Sequence, residues 1–191
     1  MQRFFFVPLL LASLWLSGCI ATALVGGGAA AGSAAFDQRS VGRHIDDDTL
    51  ETKISVRMAA EKDLPSRWVS VDVINGKVLL TGYLPRQDQI DRAIWISRSF
   101  KGVKSVRSDI KLGKPTADEL ASDSWITAQV KSKLVEDPDV SAFTIHLETV
   151  AGKVYLLGVV KNAHQRYQAA SVAKKVKGVK SIENLLTIDK H

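Results

Sequence analysis

The chain contains two copies of one pattern, and this repeat limits the folds that it can adopt. "GKVLLTG" at 76–82 returns as "GKVYLLG" at 152–158, and "KGVKSV" returns as "KGVKSI" with the same offset of 76 residues. That offset aligns 48–112 with 124–188 without a gap and gives 13 identities in 65 positions. A repeat of this length is a whole small domain rather than one unit of a solenoid. The sequence therefore predicts two related domains, each near the lower size limit for a self-sufficient core.

Each copy predicts a helix followed by a β-hairpin. Apolar residues at every fourth position indicate the helix. They are Leu50, Ile54 and Met58 in one copy, and Ile126, Val130 and Leu134 in the other. Asp48 in the first copy, and Asp123 or Ser124 in the second, are the predicted helix caps. The alternating run "WVSVDVI" at 68–74 indicates a half-buried strand, and the "NG" that follows it is typical of a hairpin turn.

A second helix and a third strand complete each copy. The apolar stripes of the second helix are Ile90, Ala93, Ile94 and Ser97, and Ala169, Val172, Ala173 and Val176. Gly102 and Gly178 are the expected C-terminal caps. "VKSVRSDIKL" and "VKSIENLLTI" then form the last strand of each copy. The predicted fold is α+β, with the order αββαβ and two helices on one face of a three-stranded mixed sheet.

The glycines shared by the hairpins have structural roles in this interpretation. Gly76 and Gly152 serve the turns. Gly82 and Gly158 either end a strand or allow another element to approach closely.

The first residues have the pattern of an export signal. Arg3 is the only charge ahead of the apolar run "FFFVPLLLASLWL", which is short for a bilayer span, so a signal peptide is favoured over a transmembrane anchor. "LSGC" at 16–19 resembles the lipobox of bacterial lipoproteins. This resemblance implies that Cys19, the chain's only cysteine, becomes the first mature residue and carries lipid such as palmitate. Ile20, in place of an aspartate, favours the outer membrane and a periplasm-facing protein.

The segments between these features divide the chain. Residues 20–35, "IATALVGGGAAAGSAA", are typical of a flexible linker. The predicted parts are a signal peptide at 1–18, the lipidated Cys19 with a tether to residue 45, a first domain at 46–112, a linker at 113–122 and a second domain at 123–191.

The element order, the G-x-V hairpin and the "GV-x-x-V" strand resemble the BON domain family. The resemblance covers essentially all of residues 46–189. Together with the lipobox, the chain is similar to the dual-BON outer-membrane lipoproteins of proteobacteria. The resemblance implies non-catalytic domains that bind phospholipid surfaces and support the integrity of the cell envelope.

The sequence contains no pattern of catalytic residues. His44, His146, His164 and His191 lie far apart and lack metal-ligand spacing, and no serine lies in a nucleophile-elbow motif. The acidic run at 46–48 is open to two interpretations, a cation site or the favourable start of a helix, and the second is preferred. We therefore expect no enzyme activity, cofactor, metal or small-molecule substrate.

Basic residues are concentrated in the second copy. No acid occurs between Glu148 and Glu183, a stretch that contains Lys153, Lys161, Arg166, Lys174, Lys175, Lys177 and Lys180. A surface with only positive charges attracts anionic surfaces, which is one interpretation of this stretch. The equal alternative is that these residues form an ordinary helix face exposed to solvent.

Trp125 is the residue that points most directly to a binding surface. It aligns with Thr49 and lies one residue, about 100°, away from the core stripe. Tryptophan favours the bilayer interface, and the resemblance implies lipid binding by the first helix of the second domain. The predicted lipid-binding set is Trp125, Ile126, Gln129, Lys131 and Lys133. The alternative is that Trp125 packs against the other domain or against the linker "GKPTADELAS". Trp68 and Trp95 are predicted to be core or interface residues.

Three functions remain to be compared. The first is binding of an anionic phospholipid membrane, and the second is docking of an envelope assembly machine or another periplasmic protein. Nucleic-acid binding, which the sequence pI of about 9.5 suggests, is not expected in an exported and anchored protein without an aromatic stacking platform.

Overall fold

The computed structural model describes residues 38–189, and it describes their side chains from residue 46 onward. The predicted signal peptide, Cys19 and the predicted tether up to residue 37 lie outside the described residues, whereas residues 38–45 of that tether belong to the first helix. The first domain consists of α1 Gln38–Ala59, β1 Val69–Ile74, β2 Lys77–Leu84, α2 Gln87–Arg98, β3 Ser105–Ser108 and β4 Lys111–Leu112. The second consists of α3 Ala117–Glu136, β5 Ile145–Val150, β6 Lys153–Val160, α4 Ala163–Lys174, β7 Ser181–Asn184 and β8 Thr187–Ile188. The 3-10 turns Ser66–Trp68 and Ala142–Thr144 precede β1 and β5.

Each domain contains a mixed sheet with the predicted order of strands. β1 pairs with β2 in antiparallel fashion, and β3 and β4 both pair with β2 in parallel. β3 and β4 are thus two segments of one interrupted strand, and the second domain repeats this arrangement. The α+β prediction of an αββαβ unit with a three-stranded mixed sheet is confirmed.

The hairpin turns lie where the sequence predicts them. Ile74 pairs with Lys77, so Asn75 and Gly76 form a two-residue turn, with φ values of 53° and 74°. Positive φ at both positions is the geometry that follows the twist of the flanking strands. The second domain places Ala151 at the corresponding position with a φ of 51°.

The two helices of each domain cover one face of its sheet. The predicted stripes of α1 and α3 are buried, and they pack on strand residues such as Leu80 and Leu156, which are completely buried. Alternate strand residues point to this face, which explains why the helical and strand periodicities of the sequence agree on one core per domain.

The predicted helix caps are wrong. α3 begins at Ala117, because the Thr116 hydroxyl accepts a 3.2 Å hydrogen bond from the Glu119 amide and the Glu119 side chain accepts one from the Thr116 amide. This capping box lies within the predicted linker. Asp48, Asp123 and Ser124 therefore lie inside helices.

Gly102 and Gly178 also differ from their predicted roles. α2 ends at Arg98 and α4 at Lys174, four residues earlier in each case. The glycines lie in the turns that follow, with φ values of 104° and 92°. Their left-handed backbone carries the chain from the helix to the last strand.

An aspartate joins each first helix to its own hairpin; Asp123 is buried and Asp47 is half-buried. The Asp123 carboxylate accepts hydrogen bonds from the amides of Ala151 (2.6 Å) and Gly152 (2.8 Å). Asp47, at the equivalent position, accepts from the amides of the Asn75–Gly76 turn. These acids bind the turn amides, which have no partner in the hairpin itself, and they fix where α1 and α3 cross the sheet.

The two sheets pack against each other through the faces that the helices leave uncovered. A buried cluster joins the domains and consists of Leu79, Tyr83, Val150, Tyr155 and Leu157. Trp68 packs against this cluster, as predicted for an interface residue. Trp95 is 57% exposed, and the Arg92 guanidinium lies 4.3 Å from its ring centroid, so the prediction of a core or interface role for Trp95 is wrong.

Candidate binding groove of the second domain

An open groove of about 530 Å³ lies between α3 and α4. One wall consists of Trp125, Gln129, Lys133, Glu136, Asp137 and Pro138, and the other of Val172, Lys175, Val176 and Lys177. The helices run in opposite directions along it. Gln168 donates a 2.9 Å hydrogen bond to Asp137 at one end, and Gly178 lies beside Ile126 at the other.

Trp125 lies at the open edge of this groove. Its side chain is 49% exposed, whereas Ile126, the next residue, is 1% exposed. The 100° step between neighbouring helical residues turns one into the core and leaves the other at the surface. The groove thus has an indole at its rim that does not contribute to the core of the domain.

Ile126 does not belong to the surface, so its inclusion in the lipid-binding set is corrected. It packs in the core with Val130 and Leu134. A Cβ atom on Gly178 would lie only 3.0 Å from the Ile126 Cδ1 atom, which shows how closely this side chain is enclosed. The core stripe, rather than the rim, determines its position.

The other three predicted residues are placed differently. Gln129 is half-buried and lines the groove, and Lys133 lines it too. The Lys133 ammonium donates a 2.9 Å hydrogen bond to Glu136, and this bond lowers the pKa of the Glu136 carboxyl. Lys131 is exposed but lies outside the groove, six residues and about 120° around the helix from Trp125.

Sequence reasoning missed the α4 wall of the site. Lys175 and Lys177 line the groove near Trp125, while Glu136 and Asp137 line its opposite end. The acid-free stretch of the sequence was the available signal, but it contains seven basic residues and cannot single out these two. The tertiary fold selects them because it brings the end of α4 beside the start of the exposed face of α3.

The first domain has a groove that overlaps the equivalent position in part and lacks the tryptophan. Its walls include Thr49 and Lys53 from α1, and Phe100 and Lys101 after α2, and it encloses about 470 Å³. Thr49 stands where the second domain has Trp125. The first groove also reaches the Asn75–Gly76 turn, and of the two grooves only the second has an indole on its first helix.

Similarity to known proteins agrees with this architecture. The family model described as "BON domain" matches residues 46–114 and 122–190. The chain belongs to the BON domain family. Both BON domains thus fall on the repeats that the sequence and the fold define, and the predicted dual-BON resemblance is confirmed.

Relatives are similar along most of the chain. "Outer membrane lipoprotein DolP" of Haemophilus influenzae is 39% identical and is matched over 91% of this chain and 90% of its own length. "21 kDa hemolysin" of Actinobacillus pleuropneumoniae is 33% identical over 76% of each chain. "Osmotically-inducible protein Y" of Escherichia coli is 30% identical over 75% of this chain and 73% of its own. These similarities support an outer-membrane lipoprotein of the cell envelope. In residues 38–189 no helix has the length and apolar character needed to cross a bilayer.

Proposed function

We propose that the chain is a non-enzymatic outer-membrane lipoprotein whose second BON domain binds anionic phospholipid through the groove between α3 and α4. The single observation that carries the proposal is the half-exposed Trp125 beside Lys175 and Lys177. Trp125, Gln129, Lys133 and the two α4 lysines are the proposed contact residues, and Ile126 supports them from the core. The protein requires no cofactor, metal or small-molecule substrate in this role.

The chemistry of the groove suits a bilayer surface. An indole has an apolar body and one N–H donor, which match the boundary between acyl chains and headgroups. Basic residues close to an anionic bilayer contribute about 1 kcal/mol each. Because Lys133 is paired with Glu136, Lys175 and Lys177 supply most of the free positive charge in the groove. An anionic headgroup is therefore expected at the Trp125 end, away from Glu136 and Asp137.

The lipid anchor makes a weak groove sufficient. We propose that acylation of Cys19 retains the mature chain on the periplasmic side of the outer membrane, consistent with its lipoprotein relative. Anchoring through two or more acyl chains is durable, whereas a single weak surface site exchanges freely. A tethered domain meets the membrane at a high effective concentration, so the groove reports lipid composition rather than providing the attachment. We propose that the chain, held at the outer membrane in this way, supports the integrity of the cell envelope.

Liposome binding tests the assignment with the chain from residue 20 onward, which keeps every described residue and lacks the acylated cysteine. We expect binding to vesicles that contain anionic phospholipid, weaker binding to neutral phosphatidylcholine vesicles, and a decrease as ionic strength rises. Trp125→Glu should lower affinity by about tenfold or more, because it removes the indole and adds a repelled charge. Reversing both α4 lysines to glutamate should have a similar or larger effect.

Trp95→Ala is the matched control, because Trp95 is also exposed but lies in the first domain. Its binding should equal that of the unaltered chain, and circular dichroism should show that all variants are folded. Equal binding to neutral and anionic vesicles, or binding that Trp125→Glu leaves unchanged, would contradict lipid contact. The alternative, docking of an envelope protein on the same groove, would then be tested by crosslinking in the envelope.

A further inference from the structure

The contact between the domains contains a cluster of acids at one edge. Asp72 on β1 and Glu148 on β5 occupy equivalent positions in the repeat. His146 Nε2 lies 3.0 Å from Asp72 Oδ1, and Glu148 accepts a hydrogen bond from Ser70, the equivalent of His146. Edge strands β1 and β5 thus meet across a local twofold relation, with a carboxylate from each domain facing the other domain.

The carboxyl groups of this cluster differ in their contact with water. Asp72 is 4% exposed, and its Oδ2 atom has no hydrogen-bond partner in the described structure. Glu148 and Glu51 are half-buried. The charged groups that face one another here are Asp48 and Glu51 from α1, Asp72 from β1, Asp123 from α3, and His146 and Glu148 from β5. Three of these carboxyl groups, Glu51, Asp72 and Glu148, act directly on the His146 imidazole.

The pKa values respond to this crowding. Burial, followed by the nearby Asp72 charge, raises the pKa of Glu148 to about 7. The same two causes raise the pKa of Glu51. The hydrogen bond to Asp72 raises the pKa of His146. Asp72 belongs to the other domain for Glu148 and His146, so these two groups hold their protons more tightly when the domains are packed than an exposed group does.

The opposite edge of the contact behaves differently. Arg107 Nη1 lies 2.9 Å from Glu183 Oε1, and the Lys153 ammonium lies 3.1 Å from Asp109 and 3.2 Å from Glu183. The hydrogen bond from Arg107 lowers the pKa of Glu183. Burial alone would raise the pKa of Asp109, but Arg107 and Lys153 lower it. These ion pairs stay charged above about pH 5, so this edge does not change between pH 5 and 8.

We propose that the contact between the two BON domains is a proton-dependent device, closed when Glu148 is protonated and loosened at the β1–β5 edge when Glu148 and His146 lose their protons. A raised pKa contributes stability that is complete below the group's ordinary pKa and lost as pH rises through the raised one. For Glu148 the loss accumulates from about pH 4.5 to about 7 and is complete above that. Each unit of pKa shift that the domain contact causes changes the ratio of closed to open contact about tenfold.

A buried thiol measures this opening directly. The chain from residue 20 onward has no cysteine, so Leu157→Cys places a single thiol in the cluster between the sheets, where Leu157 is buried. Its labelling rate, divided by that of a peptide thiol at the same pH, gives the opening constant. We expect this constant to rise at least about tenfold between pH 5 and pH 8. Leu156→Cys, on the helix-covered face of the same strand, reports unfolding of the domain itself and should show a smaller rise.

Two variants of carboxylate residues distinguish pH-dependent opening from a general weakening of the contact between the domains. Glu148→Gln imitates the protonated acid and should leave only the smaller part of the rise that His146 contributes. Glu183→Gln removes two ion pairs of the other edge, those of Glu183 with Arg107 and Lys153, so opening should increase at both pH values while the ratio between them stays as large as in the unaltered chain. The proposal would be overturned if the Leu157→Cys chain, with Glu148 and Glu183 intact, had the same opening constant at pH 5 and pH 8. So would a full rise that persists in Glu148→Gln.

Discussion

Gly158→Ala is expected to destabilise the second BON domain by at least about 3 kcal/mol, or to prevent its folding. Gly158 lies within β6 with a φ of 127°, a conformation that L side chains rarely adopt. A Cβ atom there would also overlap the carbonyl oxygen of Thr144, in the turn that leads into β5. The positive φ costs about 1–3 kcal/mol, and the backbone overlap adds to it because neither strand can move freely. Urea unfolding followed by circular dichroism measures the change in the free energy of unfolding.

Gly113→Ala separates the two contributions. Gly113 has a nearly equal φ of 130°, yet no heavy atom lies within 4 Å of the position its Cβ would occupy. Its replacement should show the conformational cost alone, about 1–2 kcal/mol. Gly82→Ala should reproduce the large effect in the first domain, since its Cβ would overlap the Trp68 carbonyl. Equal losses in Gly113→Ala and Gly158→Ala would show that the close backbone approach is not what makes this glycine necessary.

Asp123→Ala is expected to lower the free energy of unfolding by about 2–4 kcal/mol. The variant leaves the amides of Ala151 and Gly152 buried without their acceptor. Hydrogen bonds to a charged group contribute about 1.5–3 kcal/mol, and an unsatisfied buried donor carries a further desolvation cost. Asp123→Asn keeps one acceptor oxygen and should lose less. Thermal and urea unfolding of the three proteins give the comparison.

Ser124→Ala is the matched control, because Ser124 is the neighbouring residue of the same helix and was a predicted cap. Inside α3 an exposed serine contributes little, and alanine is the better helix former, so stability should stay within about 0.5 kcal/mol. A true N-cap serine would cost about 1 kcal/mol on replacement. A loss of that size in Ser124→Ala, with none in Asp123→Ala, would restore the cap interpretation.

The local features of each BON domain were readable from the sequence because each depends on nearby residues. The stripe of Ile126, Val130 and Leu134 has helical spacing, and the alternation before Asn75 and Gly76 is that of a strand entering a tight turn. Because the repeat aligns without a gap, both domains were expected to have the same order of helices and strands. Composition and spacing also directed attention to Trp125, since its position departs from the stripe.

The errors arose where a residue serves a distant partner. Asp123 has the composition signal of a helix cap, but its carboxylate binds amides 28 and 29 residues away. Ile126 is adjacent to Trp125 in sequence and was grouped with it, yet the core contains it. Lys175 and Lys177 could be recognised only once α4 was seen to end beside α3. Contacts between residues that are far apart in sequence cannot be recognised from local patterns.

By itself, the sequence determined the repeat, the αββαβ order, the helix-facing core of each domain and the unusual position of Trp125. These follow from periodicities of 3.6 and 2.0 residues and from the few residues that adopt positive φ. Only the tertiary structure decided which lysines accompany Trp125 and how the domains meet. Ser70, Asp72 and Ile74 are alternate residues of β1 and point to the face away from the helices. This mostly polar set would equally suit a face exposed to solvent. Asp72 is buried because the sheet of the second domain packs against this face. The apolar residues that drive this packing are far apart in the chain, so their contact cannot be read from local sequence.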